Sequence, residues 1–171
     1  MIWLTSDWHL GHENIIKYCD RPFNSAAEMN SVLLSNALEV VAPSDTLYVL
    51  GDFAFDRRVF EAYAASLDSA CNVGFVQGNH DAKQAVFDYG LASDFRHNHR
   101  HYYVCHYPWA TWRPNTVMVH GHCHGKTVPL PADSRQQWRY DVGVDVDWTK
   151  YGVERYYPVP ITAIEKRIEG I

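Results

Sequence analysis

The chain has 171 residues, 47% of them hydrophobic and 20% charged, with a formal net charge of −5. That length fits one domain, residues 1–171, with a single sizeable core, and the composition is that of an ordinary globular protein. The negative balance argues against nonspecific grip on a polyanion, so stable nucleic-acid binding is not expected. It leaves room for a small anionic substrate held through bound cations.

The opening stretch MIWLTSDWHLGHENII has no basic leader region and no long apolar run, so it reads as a strand and not as a signal peptide. No run of about 18 apolar residues exists, so no membrane span is expected. The four cysteines match neither a CxxC pair nor a zinc-finger spacing. Reduced thiols and a cytoplasmic location are the expectation, with Cys123 read as a small buried hydrophobe.

Ile2 to Thr5 is a short apolar strand ending in a polar cluster. Ser25 to Val41 carries helical spacing, with Met29, Val32, Leu33, Leu38 and Val41 on one side, and Ser25 with Glu28 forms a capping-box pattern. Thr46 to Leu50 is a buried strand followed by Gly51-Asp52, and Arg57 to Leu67 is a second helix. Asn72 to Gln77 is a strand followed by Gly78-Asn79-His80-Asp81, and Ala82 to Tyr89 is a short helix. Beyond it, His101 to Cys105, Thr116 to His120, Arg139 to Val146 and Arg155 to Val159 read as strands. Ile161 to Ile168 is a helix or a strand. The loop from Lys126 to Gln137 has no regular pattern and is either a lid or a long turn. The order βαβαβ followed by strands predicts a parallel first sheet joined to a more antiparallel second one.

Polar residues gather where these strands end: Asp7 and His9, Asp52, Asn79 to Asp81, His106, and His122 with His124. Ligands in open α/β sheets bind outside the carboxyl ends of strands, so all five groups are placed to converge. Asp, Asn and His are oxygen and imidazole ligands, suited to Mn, Fe, Zn or Ni. They are too numerous for one tetrahedral ion, whereas two ions sharing a bridging carboxylate would use them all. Each group alone also reads as a turn or a packed histidine. The stretch VHGHCHG illustrates this, because strict alternation of His120, His122 and His124 equally describes one face of a strand.

As a set, Asp7-x-His9, Gly51-Asp52, Gly78-Asn79-His80-Asp81, His106 and Gly121-His122-x-His124 resembles the calcineurin-like metallophosphoesterases, over about two thirds of the chain. Flanking text such as PSDTLYVLGDFAFDR and DVGVDV is similar to a small single-domain bacterial and phage branch. The resemblance implies a four-layer α/β/β/α sandwich with a dimetal site at the carboxyl ends of the strands. It implies Asp7, His9 and His124 on the first metal, Asn79, His106 and His122 on the second, and Asp52 bridging. His80 is implied as the catalytic histidine, with Asp81 beside it. His120 would close its strand.

Two cations about 3.5–4 Å apart clamp an in-line displacement at phosphorus and lower the pKa of a bridging water, giving hydroxide near neutral pH. Manganese is the expected ion, with Fe, Zn, Ni or Mg as alternatives. The leaving oxygen needs a proton, which His80 is placed to give if Asp81 stabilises its charged form. His12, Arg21 and Arg113 are candidate substrate contacts, each equally readable as a surface or structural group. Trp109, Trp112 and Tyr107 read as base-stacking rings or, slightly favoured, as packing. The expectation is a phosphodiesterase acting on a small nucleotide-related ester. A phosphomonoesterase and a catalytically silent, metal-stabilised binding module are the alternatives. A β-lactamase-like site would need His-x-His-x-Asp-His, which is absent. Oligomeric state is open.

Overall fold

The computed structural model describes residues 1–81, 90–110, 112–126 and 138–171. The expected helix at Ala82 to Tyr89 and nearly all of the Lys126 to Gln137 loop lie outside the described residues. Elements in chain order are β1 (Ile2–Thr5), α1 (Glu13–Tyr18), α2 (Ala26–Val40), β2 (Thr46–Leu50), α3 (Arg57–Asp68), β3 (Asn72–Val76), β4 (Ala92–His97), β5 (Arg100–Cys105), β6 (Thr116–His120), β7 (Arg139–Asp141), β8 (Val159–Pro160) and α4 (Ile161–Glu169).

The helices start where capping chemistry allows. Ser25 Oγ accepts the Glu28 amide at 3.1 Å, while Glu28 reaches back to the Asn24 amide at 2.8 Å. Asp56 accepts the Arg58 and Val59 amides and so opens α3. Met29, Leu33 and Ala37 form the buried face of α2, and Leu38, expected on that face, is exposed.

The strands form two sheets of order β3-β2-β1-β8 and β4-β5-β6-β7. In the first, β1, β2 and β3 are parallel and β8 is antiparallel to β1. In the second, only the β4–β5 pair is antiparallel, and β5, β6 and β7 run parallel. The expected antiparallel character of this sheet is therefore corrected. The long connection from β5 to β6 returns the chain to start a parallel neighbour, where a hairpin would have reversed it. The expected strands at Arg139 to Val146 and Arg155 to Val159 shrink to β7 and to β8.

Alternation along the strands separates the packing layers. Leu47, Val49 and Phe75 pack with Met29, Leu33, Phe60 and Leu67 beneath the helices. Leu4, Tyr48 and Leu50 face Tyr102, Val104, Val117 and Val119 between the sheets, where Ile161 and Ile164 of α4 also pack. Met118 and Cys105 point to the outer face of the second sheet, under Trp112. The result is the mixed α/β sandwich the sequence implies. Its two parallel sheet regions send the ends of β1, β2, β3, β5 and β6 into one set of adjoining loops.

Candidate metal centre

The loops after β1 and β2 run side by side. Asp7 N–H donates to Gly51 O, His9 N–H to Asp52 O and Leu10 N–H to Phe53 O, at 2.9–3.1 Å. This pairing aligns Asp7 and His9 with Asp52. Gly121 crosses next to Ser6 and Asp7 so closely that an added Cβ would lie 2.5 Å from Ser6 Cβ and 2.6 Å from Asp7 Oδ2. The His122 amide then donates to both Asp7 carboxylate oxygens, at 3.0 and 2.9 Å.

Among the described residues three groups of side chains bring one potential ligand atom each within 4.8 Å of one another: Asp7, His9 and His124; Asp52, His106 and His122; and Cys19, His124 and Asp145. The first two coincide with the first-metal set and most of the second-metal set that the family resemblance implies. Asp52 Oδ2 stands between them, 3.6 Å from His9 Nε2 and 3.4 Å from His106 Nε2. Asn79 Oδ1 lies 3.0 Å from His106 Nε2. Asp52 Oδ1 accepts the His80 amide at 2.8 Å, which fixes the carboxylate plane.

This donor set fits divalent cations. His9 is buried, and neither of its ring nitrogens has a hydrogen-bond partner, an arrangement that calls for an explanation in a native interior. His106 Nδ1 lies 2.9 Å from Leu50 O, so that nitrogen is occupied and Nε2 is the one turned toward Asp52 and Asn79. His124 Nδ1 is similarly engaged by Asp145 Oδ2 at 2.6 Å.

In the polypeptide alone, burial and hydrogen bonding shift the protonation of these groups strongly. Burial raises the Asp7 pKa to about 7 and lowers the His9 pKa to about 3, leaving that imidazole neutral. At His124, burial acts downward, but the Asp145 hydrogen bond, the Cys19 contact and the Asp7 charge together outweigh it and raise the pKa to about 10. Burial acts upward on Asp52, yet the His106 hydrogen bond and charge hold its carboxyl below the usual range.

A cavity of 380 Å³ opens over the site, lined by His9, His12, His80, His122 and His124, with Tyr18, Phe55, Cys123 and Lys126 among its other walls. The His12 ring lies 4.6 Å from Phe55, and Phe55 lies 5.0 Å from the exposed His80. Cys123 is half-buried in this wall and not in the core, which corrects its expected role.

Three other expectations are corrected. Asp81 is buried and faces away from a dyad with His80. Its Oδ2 accepts the Asp52 and Gly78 amides and its Oδ1 the Phe53 and Ala54 amides, at 2.7–3.2 Å. It clamps the loop after β2 to the loop after β3. Arg21 is no substrate contact, because its side chain is 0% exposed. It forks onto Asp145 at 2.7 and 2.8 Å and donates to the Asp7 and Trp8 carbonyls. Arg113 lines a different depression, on the outer face of the second sheet.

Sequence reasoning missed Asp145, which orients His124 and is held in turn by Arg21. The only signal was its place in DVGVDV. It also missed Phe55, although it lies within PSDTLYVLGDFAFDR, and Tyr18 and Lys126, which carry no motif.

An α/β sandwich with Asp, Asn and His donors grouped after five strands has the build of a metal-dependent hydrolase. The comparisons narrow this. The sequence profile of the calcineurin-like phosphoesterases matches residues 1–155, and the chain belongs to that family. The family binds a dimetal centre and is typically a metal-dependent phosphoesterase. A relative in Methanocaldococcus jannaschii, the uncharacterized protein MJ1445, is 31% identical, with 98% of this chain and 91% of that one covered. The crystal structure of AQ665 from Aquifex aeolicus, a protein of unknown function, has a TM-score of 0.69 at 24% identity and 98% coverage of both chains, a likeness of fold. No helix among the described residues is long and apolar enough to cross a membrane.

Proposed function

We propose that this protein is a dimetal-dependent phosphodiesterase acting, as one domain, on a small nucleotide-related ester, with manganese as the working ion. The observation that carries the reading is Asp52 Oδ2, 3.6 Å from His9 Nε2 and 3.4 Å from His106 Nε2, a carboxylate shared by two ligand groups. Asp7, His9 and His124 would hold one cation, Asn79, His106 and His122 the other, and Asp52 would be shared between them. When bound, the ions lower the pKa of water toward neutrality and draw charge from the phosphoryl oxygens.

The chain's own residues do the rest. Arg21 and Asp145 hold His124 in the tautomer with a free Nε2, and Leu50 O does the same for His106. His80, exposed in the cavity wall, gives a proton to the departing oxygen. It does so without Asp81, whose oxygens are taken by backbone amides. His12 and Lys126 meet the phosphate, and the Phe55 and Tyr18 rings leave space for the second ester arm. That second arm is the reason to favour a diester.

The test compares hydrolysis of bis-p-nitrophenyl phosphate and p-nitrophenyl phosphate by manganese-loaded protein, with elemental analysis alongside. Faster diester turnover is expected, and Asp52→Asn should lose metal and activity together. Two bound ions with no hydrolysis of either ester would favour the silent binding module. Preferential monoester hydrolysis would favour a phosphomonoesterase.

A further inference from the structure

We propose that the outer face of the second sheet carries a separate binding site for a nucleoside monophosphate. The residues come from WATWRPN, which the metal centre does not use, and from the strands beneath it. Phe95 of β4 packs inward against Tyr102, so its neighbours Asp94 and Arg96 face out, beside His101 and Tyr103 of β5. Trp109, Trp112 and Arg113, from between β5 and β6, lie at this face. The Trp112 indole is buried and donates to Thr116 O at 2.9 Å. Trp109 stays 44% exposed, its ring 5.2 Å from that of Tyr103.

Two depressions adjoin here. One, of 350 Å³, has walls formed by Trp109, Trp112 and Tyr103. The other, of 240 Å³, is lined by Arg96, His99, Arg113 and Asn115. His101, Arg113 and Thr116 belong to both. Among the described residues neither Arg96 nor Arg113 has an ion-pair partner, whereas Arg21, Arg57 and Arg100 each have one. The Asp94 carboxylate, which lines the first depression, is engaged by His101 at 2.5 Å. In a chain of net charge −5, two such guanidinium groups converging on one cleft are an anion site in waiting.

The chemistry of the ligand follows from the pairing of the two compartments. An exposed indole beside a tyrosine offers stacking to a planar base. Two guanidinium groups across a shared wall offer charge-assisted bonds to a phosphate. A nucleoside monophosphate carries both groups on one small frame. The site shares no lining residue with the cavity over the metal centre.

Calorimetric titration of chelator-treated, full-length protein with adenosine 5′-monophosphate, adenosine and inorganic phosphate tests this without relying on catalysis. The nucleotide is expected to bind and each fragment to bind at least about tenfold more weakly. Arg113→Gln and Trp109→Leu are each expected to weaken the nucleotide by about tenfold or more, the loss of one charged contact or one stacked ring. Both variants should take up manganese like the unaltered chain. If Trp109→Leu fails to fold by circular dichroism, Arg96→Gln replaces it. Absence of nucleotide binding, or binding unchanged in the variants, overturns the proposal; the second result would place the nucleotide in the other cavity.

Discussion

Asp81→Asn separates two roles that the sequence cannot tell apart. If Asp81 supports the charge of His80, the amide removes that support and little else. The structure gives a different expectation. Each carboxylate oxygen accepts two buried backbone amides, Oδ2 from Asp52 and Gly78, Oδ1 from Phe53 and Ala54. Asparagine keeps one acceptor oxygen, so in either orientation two amides face an NH₂ group that cannot accept. Unsatisfied buried donors cost about 1–3 kcal/mol each, so the loss is about 2–6 kcal/mol. That is a large share of the roughly 5–15 kcal/mol by which domains are stable. The clamp also sets Asp52 against Asn79 and His80, so manganese affinity should fall with stability. Urea denaturation, elemental analysis at limiting manganese and diester hydrolysis measure the three effects, and excess manganese should restore part of the rate. A variant as stable as the parent, with full metal content and only the acid-catalysed limb of its pH–rate profile displaced, would refute this and reinstate the dyad.

Gly121→Ala drives a methyl into Ser6 and Asp7. A cost of about 1–3 kcal/mol and weaker manganese binding are expected in thermal melts and metal titrations; unchanged values would mean the loop yields freely. Arg21→Met strands the buried Asp145 carboxylate, for a loss of about 3–5 kcal/mol by denaturant titration. A raised KM at unaltered stability would instead return Arg21 to the substrate. Asp45 accepts from the amino-terminal ammonium at 2.6 Å, from Trp3 Nε1 at 2.9 Å and from the Ala42 amide at 3.0 Å, and these bonds lower its pKa to about 2. Because its folded-state pKa is depressed, its stabilisation is present above the unfolded carboxylate pKa of about 3.9 and is lost as pH falls through about 2. The gap in melting temperature between the parent and Asp45→Asn should therefore be constant at neutral pH and narrow between about pH 4 and pH 2; a gap independent of pH would contradict the assignment.

The sequence showed β1, β2, β3, β6, α2 and α3 because their apolar residues recur at one period and their ends carry capping or turn residues. It hid β4, where ASDFRH offers a single large apolar residue, Phe95. The β4–β5 turn was also hidden. Asn98 and His99 both take left-handed backbone, with φ of 44° and 64°, between the paired His97 and Arg100. That is the backbone a two-residue hairpin wants, but Asn-His lacks the glycine that announces it. The ligand groups were legible because every member follows a strand. Arg21 and Asp145 were not, being 124 residues apart with no shared local pattern. Asp81 misled through adjacency: next to His80 in sequence, it turns its carboxylate to the backbone instead.

The alternation in VHGHCHG now has a physical account. His120 ends β6, buried, with Nδ1 2.7 Å from Gly121 O. Strand geometry stops there. His122 and His124 have φ of 71° and 47°, and Asp7, His9 and Asp52 have φ of 61°, 53° and 52°. Left-handed backbone is uncommon for residues other than glycine and costs about 1–2 kcal/mol each. Five of the candidate ligands therefore sit in conformations that their own chains disfavour, and such strain persists only where the surroundings over-determine it. Here they do: Asp81 clamps the Asp52 loop, Asp7 grips the His122 amide, and Asp145 with Arg21 fixes His124. The equal spacing of the three histidines comes from two different backbones placed end to end, and the left-handed turns are what aim His122 and His124 at separate ligand groups.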